Sequence, residues 1–184
     1  MEPIGFQKAV IAGLADDGGL IVPAKIPTVQ DMLADWTDLT YQELAFEIMR
    51  LYTTDMPEDD LRELIKKSYR NFDHSEIAPV VKHGNLYIQE LFHGPTLAFK
   101  DIALQLLGHF FSYILAQENH KLNILAATSG DTGSAAIQGV HGRKNINIFV
   151  MHPHNRISPL QEIQMTTILD ENVFNLAIAG SFDD

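Results

Sequence analysis

The second half of the chain alternates short apolar runs with longer amphipathic segments, and this alternation limits the possible folds more than any other feature. Apolar runs at 122–127, 146–151 and 173–179 have the length of strands. The segments between them, at 132–140 and 158–169, have the spacing of helices. Such alternation is typical of βαβ units, in which parallel strands are covered by helices. The pattern therefore predicts an α/β fold with a parallel sheet and flanking helices.

Two further elements are predicted just before this region, as part of the same alternation. A strand is expected at 86–90 and a long helix at about 100–117. The helix carries two adjacent apolar stripes, which indicate that it is covered on most sides. These stripes are Ile102, Leu106, Phe110 and Ile114, and Ala103, Leu107, Phe111 and Leu115.

The first 81 residues predict a separate, mainly helical region. Thr40 and Glu43 have the spacing of a capping box, which predicts a helix from there to about Thr53. Pro57 suits the first position of a second helix. The predicted domains are thus a helical region at 1–81 and the first part of an α/β domain at 82–184. The second helix places its apolar residues on one face: Leu61, Leu64, Ile65 and Tyr69.

Composition narrows the classes of partner. The 13 basic and 24 acidic side chains give a net charge of −11, which argues against nucleic acid or an anionic membrane as the partner. The absence of cysteine excludes a thiol nucleophile and Cys-ligated metals. His152 and His154 have no third ligand near them in sequence, so no metal site is predicted. No signal peptide or membrane span is recognisable, which predicts a cytoplasmic protein.

Ligands of open parallel sheets bind beyond the carboxyl ends of the strands, where loops lead into helices. Three junctions of this kind are predicted, at 91–100, 128–133 and 152–158. All three are richer in polar or special residues than the elements that they join. Their coincidence predicts the edge at which a ligand binds.

The second junction has the composition of an anion-binding loop. Its glycines allow close approach of backbone amides, its hydroxyls add donors, and the following helix contributes its positive end. A phosphate or a carboxylate is the expected ligand. An ordinary turn in which Asp131 or Thr132 caps the helix explains the same residues. The segment reads Thr128-Ser129-Gly130-Asp131-Thr132-Gly133-Ser134.

Lys100 stands out because it lies at the start of a helix among apolar neighbours. A cation at this position opposes the helix dipole. A desolvated lysine can become a neutral nucleophile that attacks an aldehyde. The alternatives are a surface lysine, or one whose charge is balanced by Asp101.

The residues around this lysine resemble a family motif. They read Leu91-Phe92-His93-Gly94-Pro95-Thr96-Leu97-Ala98-Phe99-Lys100-Asp101, which resembles the cofactor-lysine motif of threonine synthases. These are pyridoxal-phosphate enzymes of the tryptophan-synthase-β fold type. Residues 127–136 resemble the second signature of that family, in the same order and spacing. Further resemblance at 13–23, 157–162 and 180–184 extends the likeness through essentially the whole chain.

The resemblance implies a reaction in which O-phospho-L-homoserine and water give L-threonine and phosphate. It implies that Lys100 holds pyridoxal 5′-phosphate as a Schiff base. Once the substrate amine displaces it, the Lys100 amine is the expected base at Cα and Cβ. The small-molecule substrate, O-phospho-L-homoserine, is the expected partner, and the oligomeric state is left open.

The resemblance also assigns contacts to the loop. Related enzymes often have Asn at the position of Asp131, and a carboxylate there repels the cofactor's 3′-oxygen unless one of them is protonated. His93 is expected to orient groups near the lysine, with a hydrogen-bonded loop histidine as the alternative. The residues expected to bind cofactor are Lys100, Asp131, Ser129 and Gly130, and those expected to bind substrate are Thr128, Ser129, Gly130, Thr132, Gly133 and His93.

Threonine synthases are much longer than this chain, and the resemblance places their cofactor-phosphate loop beyond residue 184. We therefore expect an incomplete α/β domain that binds pyridoxal phosphate weakly or not at all and is inactive alone. Two alternative functions remain open at this point. One is a pyridoxal-phosphate lyase acting on another phosphorylated amino acid, and the other is a non-catalytic truncated domain.

Overall fold

The computed structural model describes residues 2–128 and 130–180, which divide into two compact units between Lys67 and Ser68. Within these residues no helix is long and apolar enough to cross a membrane. The helices are α1 Phe6–Ala12, α2 Tyr41–Met49, α3 Glu58–Tyr69, α4 Asp101–Glu118, α5 Asp131–Val140 and α6 Pro159–Thr166. The strands are β1 Val80–His83, β2 Leu86–Gln89, β3 Leu122–Ala127, β4 Ile146–Pro153 and β5 Val173–Ile178.

The first unit contains α1, α2 and the greater part of α3, and its best-defined helix start is that of α2. The Thr40 amide donates to Glu43 Oε2 over 2.8 Å, and the Glu43 amide donates to Thr40 Oγ1 over 3.4 Å. The predicted capping box is therefore confirmed. Hydrogen bonds from Thr40 hold the pKa of the Glu43 carboxyl below its ordinary value. The helix ends at Met49, four residues before the predicted end near Thr53.

The predicted apolar face of α3 is also confirmed. The helix begins at Glu58, directly after Pro57. All four residues of the predicted face are buried. Three of them, together with Phe46 and Met56, supply the apolar core of the first unit: Leu61, Leu64 and Ile65.

The second unit opens with a hairpin that changes one prediction. β2 forms where a strand is expected, but it pairs antiparallel with β1, which the sequence pattern did not reveal. Two residues connect the strands, and Gly84 has a φ of 61°, as tight hairpin turns require. Parallel neighbours need a long crossover, whereas only two residues join β1 and β2. β2 therefore belongs to a separate antiparallel hairpin, and the prediction that 86–90 belongs to the parallel sheet is wrong. The predicted domain boundary at 81/82 falls inside β1.

The remaining strands form the predicted parallel sheet, in the order β3-β4-β5. β4 is central, and its register aligns Ala127 of β3 and Leu176 of β5 with Met151. Burial alternates along β4, with Ile148 and Val150 completely buried on the face that α5 covers. All three strands point the same way, so their carboxyl ends meet at one edge. The loops that begin at this edge lead into α5 and α6.

Helices α4 and α5 pack with their backbones in contact. A Cβ atom added to Gly108 would overlap the carbonyl group of Gly139. One added to Gly139 would lie 2.6 Å from the Leu104 carbonyl oxygen. The predicted long helix is confirmed as α4, and two glycines set how closely α5 approaches it.

Candidate functional site

Two of the three predicted junctions lie at the carboxyl edge of the parallel sheet. Thr128 follows β3, and its amide donates to the Met151 carbonyl oxygen over 2.9 Å. The junction at 152–158 includes the end of β4 and leads into α6, whose first turn is capped by Ser158 Oγ accepting from the Gln161 amide over 3.2 Å. The junction at 91–100 instead follows the β1–β2 hairpin.

The structure brings Lys100 and Asp131 together from different junctions. Lys100 Nζ donates to Asp131 Oδ1 over 2.8 Å, with the lysine side chain 29% exposed and the aspartate side chain 42% exposed. The ammonium group also lies 4.3 Å from the centre of the Phe99 ring. The charge of Lys100 is therefore balanced by the first residue of α5, and the alternative in which Asp101 balances it is wrong.

Asp101 faces the chain that precedes it. The residue is completely buried, and its carboxylate accepts from the Thr96 amide over 2.7 Å and from Thr96 Oγ1 over 2.8 Å. Burial raises the pKa of the Asp101 carboxyl, and hydrogen bonds from Thr96 oppose that rise. From the sequence, Asp101 is predicted only as a possible counter-charge for Lys100. Its observed role, accepting hydrogen bonds from Thr96, is indicated in the sequence only by spacing: the acidic residue begins a helix five residues after a threonine.

Thr128 organises the loop before α5. Its Oγ1 accepts from the Gly130 and Gly133 amides, each over 3.2 Å, and donates to the Gly130 carbonyl oxygen over 3.2 Å. Gly130 is the residue that precedes the helix, so neither Asp131 nor Thr132 caps α5, and that alternative is wrong. The Asp131 carboxylate is consequently directed to Lys100. The predicted ligand residue Ser129 lies outside the described residues.

Gly133 is required by packing. A Cβ atom at this position would lie 2.5 Å from Met165 Sδ and 2.6 Å from Thr128 Cγ2. Only a hydrogen atom fits there, so the start of α5 lies close against α6 and Thr128. The predicted ligand-binding glycine thus has a structural role in this loop.

A surface cavity of about 460 Å³ lies beside Lys100. Thr132 of the loop lines it together with Lys100 and residues of α4. Its walls are otherwise mainly apolar, which suits a planar ring more than a highly charged group. The lining residues are Leu91, Phe99, Lys100, Ile102, Ala103, Leu104 and Thr132.

His93 is held between two carboxylates. Its Nδ1 lies 2.8 Å from Asp73 Oδ1, and its Nε2 lies 2.8 Å from Glu90 Oε2. The hydrogen bond to Glu90, and secondly that to Asp73, raise the pKa of the imidazole above its ordinary value. Two carboxylate partners favour a proton on each ring nitrogen. These contacts are those of a hydrogen-bonded loop histidine, and a ligand-orienting role stays a prediction.

The other histidine pair shows no shared ligand geometry. His152 is buried at the end of β4, and Nε2 of His154 lies 3.1 Å from the side-chain amide nitrogen of Asn155. Among residues 2–128 and 130–180, no group of three His, Cys, Asp or Glu side chains could hold a metal ion.

Known proteins resemble this chain in sequence and in backbone. Residues 1–69 match the family model described as "Threonine synthase N terminus". Over 200 aligned residues the chain is 48% identical to threonine synthase of Saccharomyces cerevisiae, covering 100% of this chain and 39% of that protein. By sequence and by fold, the chain corresponds to the N-terminal portion of threonine synthases.

Solved threonine synthase structures extend this likeness to the backbone. The crystal structure of threonine synthase from yeast matches with a TM-score of 0.93 and 49% identity, over 98% of this chain and 39% of that one. The structure of pyridoxal-phosphate-bound threonine synthase from Brucella melitensis matches with a TM-score of 0.91 and 42% identity, with the same coverage. The chain therefore spans about two fifths of the length of the threonine synthases that it matches.

Proposed function

We propose that residues 82–184 form the lysine-bearing part of a threonine synthase active site of the tryptophan-synthase-β fold type. In this proposal the whole enzyme converts O-phospho-L-homoserine and water to L-threonine and phosphate, with pyridoxal phosphate held as a Schiff base by Lys100. One observation carries the proposal. A primary amine lies 2.8 Å from a carboxylate at the start of α5, beside a cavity. The similarity to threonine synthases supports the choice of reaction.

The residues around Lys100 fit pyridoxal phosphate. The lysine side chain is 29% exposed, so an aldehyde in solution has access to its amine. The cavity of about 460 Å³ lies within the range of roughly 300–1,000 Å³ that is usual for small-molecule pockets. Leu91 and Phe99 offer apolar walls for a ring. When bound, pyridoxal phosphate supplies an electron sink for the carbanion chemistry of an amino acid.

Asp131 is suited to move the proton of Lys100. Lys100 Nζ must lose a proton before its lone pair can attack an aldehyde carbon. Asp131 Oδ1, at 2.8 Å, is within reach of that proton. The neutral amine would then hold pyridoxal phosphate through the aldehyde carbon of the cofactor. A carboxylate that has accepted the proton would not repel the 3′-oxygen of the cofactor, which would give Asp131 a function where related enzymes have an amide.

The loop before α5 is proposed to receive the substrate carboxylate. The positive end of the α5 dipole favours an anion at Gly130, Thr132 and Gly133. Thr128 contributes by shaping this loop, because its hydroxyl is already bonded to the Gly130 and Gly133 amides. Ser129 and His93 stay in the proposal as substrate contacts.

Reductive trapping tests the covalent step. The 184-residue chain is incubated with a limiting amount of pyridoxal phosphate, reduced with borohydride and digested, and the labelled lysines are quantified by mass spectrometry. We expect Lys100 to carry the largest share of the label, because Asp131 can take up the proton that Nζ must lose. The Lys100→Ala variant should lose this labelled peptide.

Lys121, an exposed lysine just before β3, provides the matched control. Lys121→Ala should leave labelling at Lys100 unchanged, and equal labelling of both lysines in the unmodified chain would contradict the proposal. The same preparation should release no phosphate from O-phospho-L-homoserine. Among the described residues that line the cavity, Lys100 alone is cationic, so nothing there holds the phosphates of both cofactor and substrate.

A further inference from the structure

The turn that precedes Lys100 is tied to the residue that follows it. Asp101 Oδ2 accepts from the Thr96 amide, and Asp101 Oδ1 accepts from the Thr96 hydroxyl. These two hydrogen bonds close the backbone from Thr96 to Asp101 into a short loop, and Lys100 is the residue of this loop directly before Asp101. Two short hydrogen bonds to one carboxylate fix both the position and the orientation of that carboxylate.

Packing around this loop leaves little freedom. Asp101 is completely buried, and a Cβ atom on Gly94 would overlap the Asp101 side chain. The Leu97 amide donates to the Gly94 carbonyl oxygen over 3.0 Å, and Leu97 has a φ of 62°, an uncommon conformation for a branched side chain. Gln164 of α6 adds an outer contact, because its Nε2 donates to the Thr96 carbonyl oxygen over 3.3 Å.

We propose that Asp101 is a positioning residue that, through Thr96, fixes the loop carrying Lys100 and so directs Lys100 Nζ toward Asp131. The placement of Lys100 is inferred from the structure alone. Only the role of its amine in binding the cofactor rests on the proposed function. Asp101 itself bonds to a segment outside α4, so its role differs from capping its own helix. Loss of either hydrogen bond should let the loop relax and the amine leave the carboxylate.

Zero-length carbodiimide coupling measures the placement without any cofactor. The reagent joins an amine to a carboxylate only where the two are in contact. The amide bond forms as the carboxylate oxygen leaves with the carbodiimide, which takes up the elements of water and is released as a urea. Lys100 and Asp131, at 2.8 Å, should therefore give a cross-linked peptide. Lys67 and Glu63, which lie 3.2 Å apart on α3, give an internal reference.

Thr96→Val and Thr96→Ser form the matched pair of variants. Valine keeps the shape of threonine and removes the hydroxyl donor, whereas serine keeps the donor. We expect the yield of the Lys100–Asp131 product to fall about fivefold in Thr96→Val. Loss of one ordinary hydrogen bond changes the ratio between the fixed and the relaxed loop by about this factor. Thr96→Ser should retain the product, and the Lys67–Glu63 product should be equal in all chains. Asp101→Asn should match Thr96→Val or exceed it.

Cross-linking is measured below the melting temperature of each variant, where the chain is folded. If Thr96 and Asp101 have a merely structural role, the substitutions should lower the melting temperature but leave the yield of cross-linked product unchanged. Should Asp101→Asn not fold, Thr96→Val carries the comparison. A wild-type yield of the Lys100–Asp131 product in both Thr96→Val and Asp101→Asn would overturn the inference. Equal labelling of Lys100 and Lys121 by pyridoxal phosphate in the wild-type chain would instead count against the proposed function.

Discussion

Lys100 and Asp101 are neighbours in the chain but lie in opposite environments. Lys100 is partly exposed and pairs with Asp131, which is 42% exposed. Ion pairs in such settings contribute about 0–1 kcal/mol, because water screens them and the side chains lose freedom. Asp101 is completely buried, and its hydrogen bonds replace lost hydration. The lysine of the proposed reaction is therefore weakly held at its tip, and the carboxylate beside it is firmly fixed.

This division of roles marks the limit of sequence reasoning at the scale of residues. The motif around Lys100 and the loop at 128–134 predict which segments carry chemistry. Which of two aspartates reaches the amine depends on side-chain direction, and sequence spacing does not reveal it. The same holds for Thr128, whose hydroxyl accepts from the Gly133 amide in the first turn of α5, the helix that Asp131 or Thr132 was expected to cap.

The raised pKa of His93 predicts a pH dependence of stability. The protonated ring bonds to Glu90 and Asp73 in the folded chain, so its folded pKa lies above the ordinary value of 6.5. A raised folded pKa gives stability that is complete below pH 6.5 and is lost as the pH rises through the folded pKa. His93→Gln removes the titrating group and should remove this contribution.

Urea unfolding of the wild-type and His93→Gln chains tests this at about pH 6 and about pH 8. The difference in unfolding free energy between the two chains should be larger at the lower pH, because contributions of the other groups cancel in the difference. His120, an exposed histidine, provides the control as His120→Gln. A difference that is the same at both values, or that grows with pH, would contradict the assignment of a protonated His93.

Among the elements, the contact between α4 and α5 is the one that sequence periodicity describes least well. The apolar stripes correctly predict a long, largely covered helix, and Phe110 and Ile114 are buried. Periodicity treats Gly108 as a weak point in that helix. In the structure Gly108 allows the backbone of α5 to touch that of α4, since a Cβ atom there would overlap Gly139.

Gly108→Ala separates these two views of the helix. Intrinsic helix propensity favours alanine by about 1 kcal/mol, so propensity alone predicts a more stable chain. Overpacking costs about 1–3 kcal/mol or more, and the opposing atoms here are backbone atoms that cannot rotate away. We expect the packing cost to exceed the propensity gain and the melting temperature to fall.

Ala103→Gly calibrates the propensity contribution in the same helix. Ala103 is exposed on α4, so this change should lower stability by about 1 kcal/mol through propensity alone. Thermal unfolding of both variants is compared with the wild-type chain. An increase in melting temperature for Gly108→Ala would show that the α4–α5 contact can open at little cost.

The β1–β2 hairpin shows why an element can be predicted and still be misplaced. The apolar run at 86–90 identifies a strand, and β2 forms there. Its partner β1 contains Lys82 and His83 and lacks a clear alternation, so the sign of a hairpin in the sequence is the two-residue turn Gly84-Asn85 between the two runs. Pairing depends on the two-residue turn at Gly84, a local feature that outweighs the longer alternation.

At the scale of the whole molecule, the net charge of −11 opposes the binding of anionic ligands. Screening at physiological ionic strength limits such repulsion to about 8 Å. Local groups therefore decide binding at the carboxyl edge of the sheet, and among the described residues these include Lys100, Arg156 in the loop after β4 and the positive end of α5. Composition argues against polyanionic partners, yet it gives no information about the positive groups at this edge of the sheet.

The parallel sheet is unequally buried on its two faces. Within the described residues, Ile148 of β4 is completely buried, whereas Leu125 of β3 is 70% exposed. Leu125 aligns with Phe149, whose ring stacks on that of Phe174 at 4.6 Å between ring centres. Parallel sheets are usually apolar on both faces, and here the sequence is apolar on both although one face is largely exposed. Hydrophobic pattern alone does not distinguish these faces.

Truncating one residue on each face measures this asymmetry. Ile148→Ala should lower the unfolding free energy by about 2–5 kcal/mol, because the surrounding core cannot fill the space that is left. Leu125→Ala removes a similar amount of apolar side chain from a largely exposed position and should change stability by about 0.5 kcal/mol or less. Urea unfolding at several protein concentrations provides both values. If both variants lost the same stability and this loss grew with protein concentration, chains in solution would be covering the Leu125 face of one another. The description of a sheet buried on one face only would then not hold for the chain in solution.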